Sequence, residues 1–191
     1  DYLAWNTPLP SVGDVNVGAI YDYLRENMPD DAILTNGAGN YSIWLHRFMP
    51  YKSYPSQLAP SSGAMGYGLP AAIAAKVTCP DRPVVCFAGD GCFMMTSQEM
   101  ATAMHHKANI IILLFNNAMY GTIRMHQEKH YPDKVVATEL TNPDFAAFAR
   151  AFGANGITVN KTEDFAPAFE QALKEDKETL IDIRVDRQAL T

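Results

Sequence analysis

Strand-like apolar runs alternate along this chain with segments of helical periodicity. Five runs are predicted to be strands: "DAILTN", "PVVCFAG", "NIIILLFN", "NGITV" and "TLIDIRV". Strands that are apolar throughout occur in parallel sheets whose two faces are both covered. Because helical patterns separate the runs, the sequence predicts a doubly wound α/β domain with a mostly parallel sheet of about six strands and helices on both faces.

The helices between these runs are predicted from side-chain spacing and from end signals. The segment "VGAIYDYLREN" places Ile20, Tyr23 and Leu24 on one face. Further helical patterns are "LPAAIAAKV", a segment through Ile43, Trp44 and Phe48, and a segment after Thr162.

Two helix starts carry capping signals. Thr96 and Glu99 have the spacing of a capping box at the start of "TSQEMATAMHH". Asn142 followed by Pro143 predicts a helix with asparagine as its cap and proline in its first turn.

Length and charge narrow the function classes. The 191 residues suffice for one substantial domain, and the net charge of -6 without a basic run argues against nucleic acid or an anionic membrane as partner. No apolar run approaches the roughly 20 residues that span a bilayer, and no signal pattern opens the chain, which predicts a cytoplasmic protein.

Prolines and a glycine in residues 1–14 predict a linker remnant, with the domain at 15–191, and a chain that begins in a linker suggests part of something larger.

The three cysteines form no C-x-x-C pair, which favours reduced thiols. Cys86 lies within an apolar strand and is predicted to pack in the core. Cys92 follows a glycine-flanked acid and is predicted to line a site there. A nucleophilic role for Cys92 is disfavoured because no matching His and Asn pattern is present.

Polar side chains mark the ends of two of the predicted strands. Asp90 stands between two glycines after the first, and Asn116 and Asn117 end the second. The 24 residues between Gly91 and Asn116 hold a short loop, a helix of about three turns and a return strand, which is one right-handed crossover. Asp90 and Asn117 therefore project from the carboxyl edge of the sheet, where open α/β sheets bind ligands.

The residue types at this edge point to a metal-bound anion. A carboxylate and an amide oxygen are hard donors, and Mg²⁺ takes one or two carboxylates while phosphates and water complete its shell. Glycines let the backbone approach a bulky anion. Amide groups at Gly91, at Cys92 and in the helix after Asn117 would face phosphate oxygens.

The motif GDG-x24-NN resembles the signature of thiamine diphosphate (ThDP) dependent enzymes. It is similar to the C-terminal, diphosphate-binding domain of the acetolactate synthase and 2-oxoacid decarboxylase group, over roughly residues 15 to 185. The resemblance implies a ThDP-binding fold, with ThDP and Mg²⁺ as cofactors.

The resemblance also implies roles for particular residues. "NGAGNYSIW" is similar to the family's first cofactor loop, in which Asn40 and Tyr41 match positions that contact the diphosphate. Met65 would bend the cofactor, although core packing is the plain alternative, and the Gly63 carbonyl would accept a hydrogen bond from its 4'-amino group. The implied metal ligands are Asp90, Asn117 and the Met119 carbonyl. The implied cofactor-binding residues are Gly39, Asn40, Tyr41, Gly63, Met65, Gly89, Asp90, Gly91, Cys92, Asn117, Tyr120 and Gly121.

By the same resemblance, the enzyme decarboxylates a small 2-oxoacid and transfers the product to an aldehyde or ketone. A simple decarboxylase or an oxalyl-CoA-type lyase fits the same motif. His126 stands where biosynthetic acetolactate synthases carry tryptophan, and Cys92 where many relatives have serine, so the acceptor stays open.

The resemblance further implies a partner. The family's activating glutamate lies on a pyrimidine-binding domain, normally of a second subunit in a homodimer or tetramer. Neither that domain nor a central domain has a counterpart in these 191 residues, so no catalytic residue is expected here and the isolated domain is expected to be inactive.

Three rival interpretations are weaker. "GAGNYS" partly matches a dinucleotide loop, but Ser42 replaces its last glycine and no acid for a ribose follows in "YKSYPSQLAPSSG". His126 and His130 have zinc-pair spacing, but the glutamate is misplaced for H-E-x-x-H. A scaffold that lost its chemistry would lack a metal ligand, and every ligand is present.

Overall fold

The computed structural model describes residue 8 and residues 10–189. The first seven residues of the predicted linker, and Leu9, lie outside the described residues, so the predicted domain boundary stays a prediction. The helices are α1 Val17–Asn27, α2 Asn40–Phe48, α3 Gly68–Thr78, α4 Asp90–Met94, α5 Met100–His106, α6 Gly121–His130, α7 Phe145–Ala151 and α8 Phe165–Lys174. The strands are β1 Ile33–Asn36, β2 Gln57–Leu58, β3 Val84–Gly89, β4 Ile111–Asn116, β5 Asn155–Val159 and β6 Thr179–Arg184.

The six strands form one sheet in the order β2-β1-β3-β4-β6-β5, and every pairing is parallel. β3 and β4 are neighbours whose register pairs Gly89 with Phe115, so their carboxyl ends lie side by side. The strand order reverses at β1 and β3, because the chain leaves β1 for β2 on one side and returns to β3 on the other. The predicted fold class is confirmed.

Helices cover both faces of the sheet. Alternate strand residues enter two separate cores, since successive side chains point to opposite faces. One core joins strand residues such as Phe87 and Leu113 to α1, α2 and α8. The other joins residues such as Cys86 and Ile112 to α3, α5 and α7. No helix among the described residues has the length and apolar character to cross a membrane.

Both predicted capping signals are wrong. The Thr96 hydroxyl donates to the Gly66 carbonyl at 2.8 Å, and a short 3-10 turn over Ser97–Glu99 precedes α5. The crossover from β3 to β4 therefore holds α4, this turn and α5 in place of a loop and one continuous helix. At the second start, Asp144 caps α7 by accepting a hydrogen bond from the Ala147 amide at 2.9 Å, and Asn142 lies outside the helix.

Candidate functional site

A cavity of about 240 Å³ opens at the carboxyl edge of the sheet, where the strand order reverses. The segments that follow β1, β3 and β4 supply most of its walls, and a loop before α3 supplies another. All of the site residues predicted from sequence line this one cavity: Gly39, Asn40, Tyr41, Gly63, Met65, Gly89, Asp90, Gly91, Cys92, Asn117, Met119, Tyr120 and Gly121. Ala38, Phe115, Thr122 and Ile123 complete the lining.

Asp90 is the first residue of α4 and is buried, with 2% of its surface exposed. Its Oδ2 accepts a hydrogen bond from Nδ2 of Asn142 at 2.6 Å. Burial raises the pKa of the Asp90 carboxyl, and the hydrogen bonds from Asn142 and from the backbone amides of Gly91 and Ala118 oppose that shift.

Asn117 and Met119 lie on a tight turn immediately after β4. Ala118 adopts the left-handed conformation, with φ +55°, and Oδ1 of Asn117 accepts from the Met119 amide at 3.3 Å. An antiparallel bridge pairs Met119 with Glu139, so the turn is also fixed to a later segment of the chain.

The donor chemistry at this edge fits a hard cation. Asp90 offers a carboxylate, Asn117 an amide oxygen and Met119 a backbone carbonyl, all from segments that line the same cavity. This set matches Mg²⁺, which takes few carboxylates when it carries a phosphate group. The described residues hold no cluster of three or more His, Cys, Asp or Glu side chains suited to a metal, so a metal at this edge would rely on one carboxylate, one amide oxygen and one backbone carbonyl.

Two helices begin at the cavity with their amide groups uncapped by side chains. Neither α2 nor α6 has a side-chain hydrogen bond at its cap position, Gly39 and Tyr120 respectively. Thr122 Oγ1 donates to Asn40 Oδ1 at 2.8 Å and so links the first turns of the two helices. The absence of a side-chain cap on either helix and the positive end of the helix dipole make this wall suitable for an anion.

The glycines around Asp90 are required by two tyrosine rings. A Cβ on Gly89 would lie 2.9 Å from the ring of Tyr41, and a Cβ on Gly91 would lie 2.6 Å from the ring of Tyr120. Both separations are below van der Waals contact. Internal packing is therefore a second reason for glycine here, besides the predicted approach of an anion.

Tyr41 and Cys92 form an internal contact in the cavity wall. The Tyr41 hydroxyl accepts from the Gly37 amide at 3.0 Å and donates to Cys92 Sγ at 3.1 Å, while the Gly66 amide donates to the same sulfur at 3.2 Å. Burial raises the pKa of Tyr41. Cys92 lines the site as predicted, with its sulfur engaged by two donors.

The loop before α3 supplies Gly63 and Met65. Met65 is 37% exposed and lines the cavity, so the alternative of ordinary core packing is wrong. Gly63 has φ +66°, a conformation that favours glycine. The roles of Met65 and the Gly63 carbonyl toward a cofactor stay predictions.

The structure assigns the remaining candidates elsewhere. His126 and His130 are exposed on α6, and their rings stack with centroids 6.3 Å apart, without a third ligand among the described residues. Cys86 is a core residue as predicted, and burial raises the pKa of its thiol to about 12. Sequence reasoning missed Asn142, which it assigned to a helix cap, and Thr122, which no motif marks.

Comparisons with known proteins agree with this geometry. Residues 37–183 match the family model described as thiamine pyrophosphate enzyme, C-terminal TPP binding domain. The protein YdaP of Bacillus subtilis (strain 168) is 37% identical over 167 residues, which are 86% of this chain and 29% of YdaP. The acetolactate synthase large subunit of Parasynechococcus marenigrum (strain WH8102) is 33% identical over 192 residues, which are 96% of this chain and 31% of that subunit.

A solved structure gives the same result. The thiamine diphosphate-dependent 4-hydroxybenzoylformate decarboxylase of Rhodococcus jostii RHA1 matches with a TM-score of 0.86 and 32% identity, over 94% of this chain and 34% of that one. This chain thus spans about a third of the length of the relatives it matches.

Proposed function

The chain belongs to the family of thiamine pyrophosphate enzymes, as their C-terminal TPP-binding domain, and we propose that it binds thiamine diphosphate as a magnesium complex. One observation carries the proposal: Asp90 and the Asn117–Met119 turn follow neighbouring strands and line the same cavity. The dinucleotide alternative has no comparable support, because the family match covers its candidate loop as well.

Each wall of the cavity suits one part of the cofactor. Asp90, Asn117 and Met119 would hold the ion, and the uncapped first turns of α2 and α6 would bind the diphosphate oxygens. Met65 and Gly63 would contact the rings. When bound, ThDP supplies the electron-accepting ring that allows a bond next to a carbonyl to be broken or formed. The buried walls around Phe115 and Cys92 would keep water away from the bound cofactor.

The reaction we propose is decarboxylation of a small 2-oxoacid followed by transfer to an aldehyde or ketone. The similarity to an acetolactate synthase large subunit over 96% of this chain supports this choice. A simple decarboxylase is the second candidate, favoured by the match to the Rhodococcus jostii enzyme. An oxalyl-CoA-type lyase would use the same cavity.

We further propose that a pyrimidine-binding domain, from a second subunit of a homodimer or tetramer, completes the site. Apolar side chains are exposed in the segments that line the cavity, at positions where a monomer would leave them in water. They are Ile43, Met65, Tyr67, Met94, Met95 and Ile123.

Replacing Asp90 tests the cofactor assignment. In its native assembly, the Asp90→Ala protein should bind ThDP with Mg²⁺ more weakly than the unaltered protein. The loss of affinity should exceed the roughly 10–100-fold that removal of an outer partner of a metal site causes. The reason is that the change removes the one carboxylate that the described residues contribute to the cavity lining. Isothermal titration of ThDP at saturating Mg²⁺ measures the effect.

Asp81→Ala is the matched control. Asp81 is an exposed aspartate before β3, at the opposite edge of the sheet, and its loss should leave the titration unchanged. An Asp90→Ala titration equal to that of the unaltered protein would count against the assignment.

A further inference from the structure

Asn142 joins the ends of two neighbouring strands. Its Nδ2 donates to Oδ2 of Asp90 at 2.6 Å and to Oδ1 of Asn116 at 2.9 Å. Asp90 directly follows β3 and Asn116 ends β4. An amide nitrogen carries two hydrogens, so both bonds form at once. One side chain thereby spans the gap between the two strand ends.

The chain of hydrogen bonds continues from Asn116 into the sheet. Asn116 Nδ2 donates to Oδ1 of Asp182 at 2.9 Å. Asp182 lies on β6, is fully buried, and forms an ion pair with Arg184 in which the nitrogen and oxygen are 2.7 Å apart. Asn142 and Asn116 thus connect Asp90, which follows β3, with the end of β4 and with Asp182 on β6.

The two carboxylates fix the direction of every bond in this chain. A carboxylate only accepts, so Asn116 must turn its nitrogen toward Asp182 and its oxygen toward Asn142. Asn142 must then turn its nitrogen toward both Asn116 and Asp90. Flipping either side-chain amide would place its oxygen against another acceptor oxygen. Only one orientation of each amide therefore satisfies these hydrogen bonds.

The backbone holds Asn142 at this point independently of α7. Asp144, not Asn142, caps that helix. The Tyr120 amide donates to the Thr138 carbonyl at 2.8 Å, and the Leu140 amide to the Ala118 carbonyl at 2.9 Å. The segment that leads to Asn142 is therefore fastened to the same turn that carries Met119.

We propose that Asn142 is a positioning residue of the cofactor site, supported by Asn116 and Asp182. It prevents the Asp90 carboxylate from rotating and sets its distance from the Asn117–Met119 turn. The proposal rests on the function proposed above. Asn142 adds a third segment to the site, one that is separate in sequence from Asp90 and from the asparagine pair.

The test measures metal affinity directly. Mn²⁺ is titrated, with its electron paramagnetic resonance as the readout, into the native assembly at a fixed saturating concentration of ThDP. Asn142→Ala and Asn142→Leu should both weaken Mn²⁺ binding by roughly 10–100-fold, as loss of an outer partner of a metal ligand does. Leucine is included because it restores bulk without the donor. If Asn142 only filled space, the Asn142→Leu protein would bind Mn²⁺ as tightly as the unaltered protein.

Asp144→Ala is the matched control, two residues away in the same segment. It removes the α7 cap without touching Asp90, so it should lower the melting temperature of the metal-free protein while leaving the Mn²⁺ affinity unchanged. Equal affinity in Asn142→Leu and the unaltered protein would overturn the inference alone, and so would an equal loss in Asp144→Ala. Failure of the unaltered protein to bind Mn²⁺ with ThDP would overturn the proposed function as well.

Discussion

Three carboxyl side chains are buried among the described residues, and their surroundings differ. Asp90 and Asp182 each accept a side-chain amide hydrogen bond, which opposes the rise in pKa that burial causes. Glu178 is 1% exposed, and neither of its oxygens meets a donor among the described residues. Burial raises the pKa of Glu178 from its ordinary 4.5 to about 8. The side chain is therefore protonated in the folded protein at neutral pH.

The protonation of Glu178 gives a pH dependence of stability whose sign follows from linkage. Between pH 4.5 and about 8, the folded state keeps a proton that the unfolded state releases. The contribution of Glu178 to the free energy of unfolding should therefore be largest below pH 4.5 and fall as pH rises, by up to about 1.4 kcal/mol per unit, until about pH 8. Glu178→Gln should remove this contribution, because glutamine is neutral at every pH. Urea unfolding at several pH values measures it.

Glu26→Gln serves as the comparison variant for this measurement. Glu26 is exposed on α1, so its loss should leave the slope as it is in the unaltered protein. The explanation fails if the slope between pH 4.5 and 8 is the same with and without Glu178.

At the scale of elements, the segment between β4 and α7 is an excursion from the sheet that carries the exposed helix α6. α6 has no buried residue, and the Met119–Glu139 bridge closes the excursion at its base. Gln127 on α6 donates to and accepts from the backbone of Val136, at 3.0 and 2.9 Å, which fixes the outer loop to the helix. The site therefore depends on how this excursion is anchored at the turn after β4, where the backbone of Ala118 and Tyr120 pairs with that of Leu140 and Thr138.

The start of α7 depends on its cap. Asp144→Ala should lower the free energy of unfolding by about 1 kcal/mol, because the Ala147 amide loses its acceptor. Chemical denaturation measures the change. Asp144→Ser keeps a capping oxygen and should retain most of the stability. An Asp144→Ala protein as stable as the serine variant would contradict the assignment of the cap.

The cap also illustrates what sequence could and could not predict. The strands after which Asp90 and Asn117 stand were recognisable because both are apolar throughout, and a parallel crossover places their ends together. The two-residue strand β2 was missed because it is too short to show a period. Asn142 was assigned to the wrong function because Asn-Pro and Pro-Asp both fit a helix start, and only the fold brings Asp90 within 2.6 Å of its amide.

At the scale of the whole molecule, most groups that line the cavity are suited to binding a ligand, and few could transfer a proton. Its lining, within the described residues, contains one carboxylate, Asp90, and no histidine, lysine or arginine. Asp90 is already engaged by Asn142 and backbone amides. The Tyr41 hydroxyl is committed to Gly37 and Cys92. The described lining thus offers mainly groups that bind a ligand, which agrees with the proposal that a second domain supplies the acid-base group.

This division predicts that the isolated 191-residue chain, supplied with ThDP, Mg²⁺ and pyruvate, releases no CO₂ above the rate of free cofactor. Proton transfer at the cofactor ring needs an acid or base within hydrogen-bond reach. Among the described residues, the cavity lining holds one carboxylate, the engaged Asp90, and no histidine, lysine or arginine. Trapping of labelled CO₂ measures turnover, and calorimetry on the same sample establishes whether ThDP is bound, so that a missing cofactor is not mistaken for missing chemistry. Sustained CO₂ release by the purified chain would contradict the prediction and would require the chain itself to hold the activating acid.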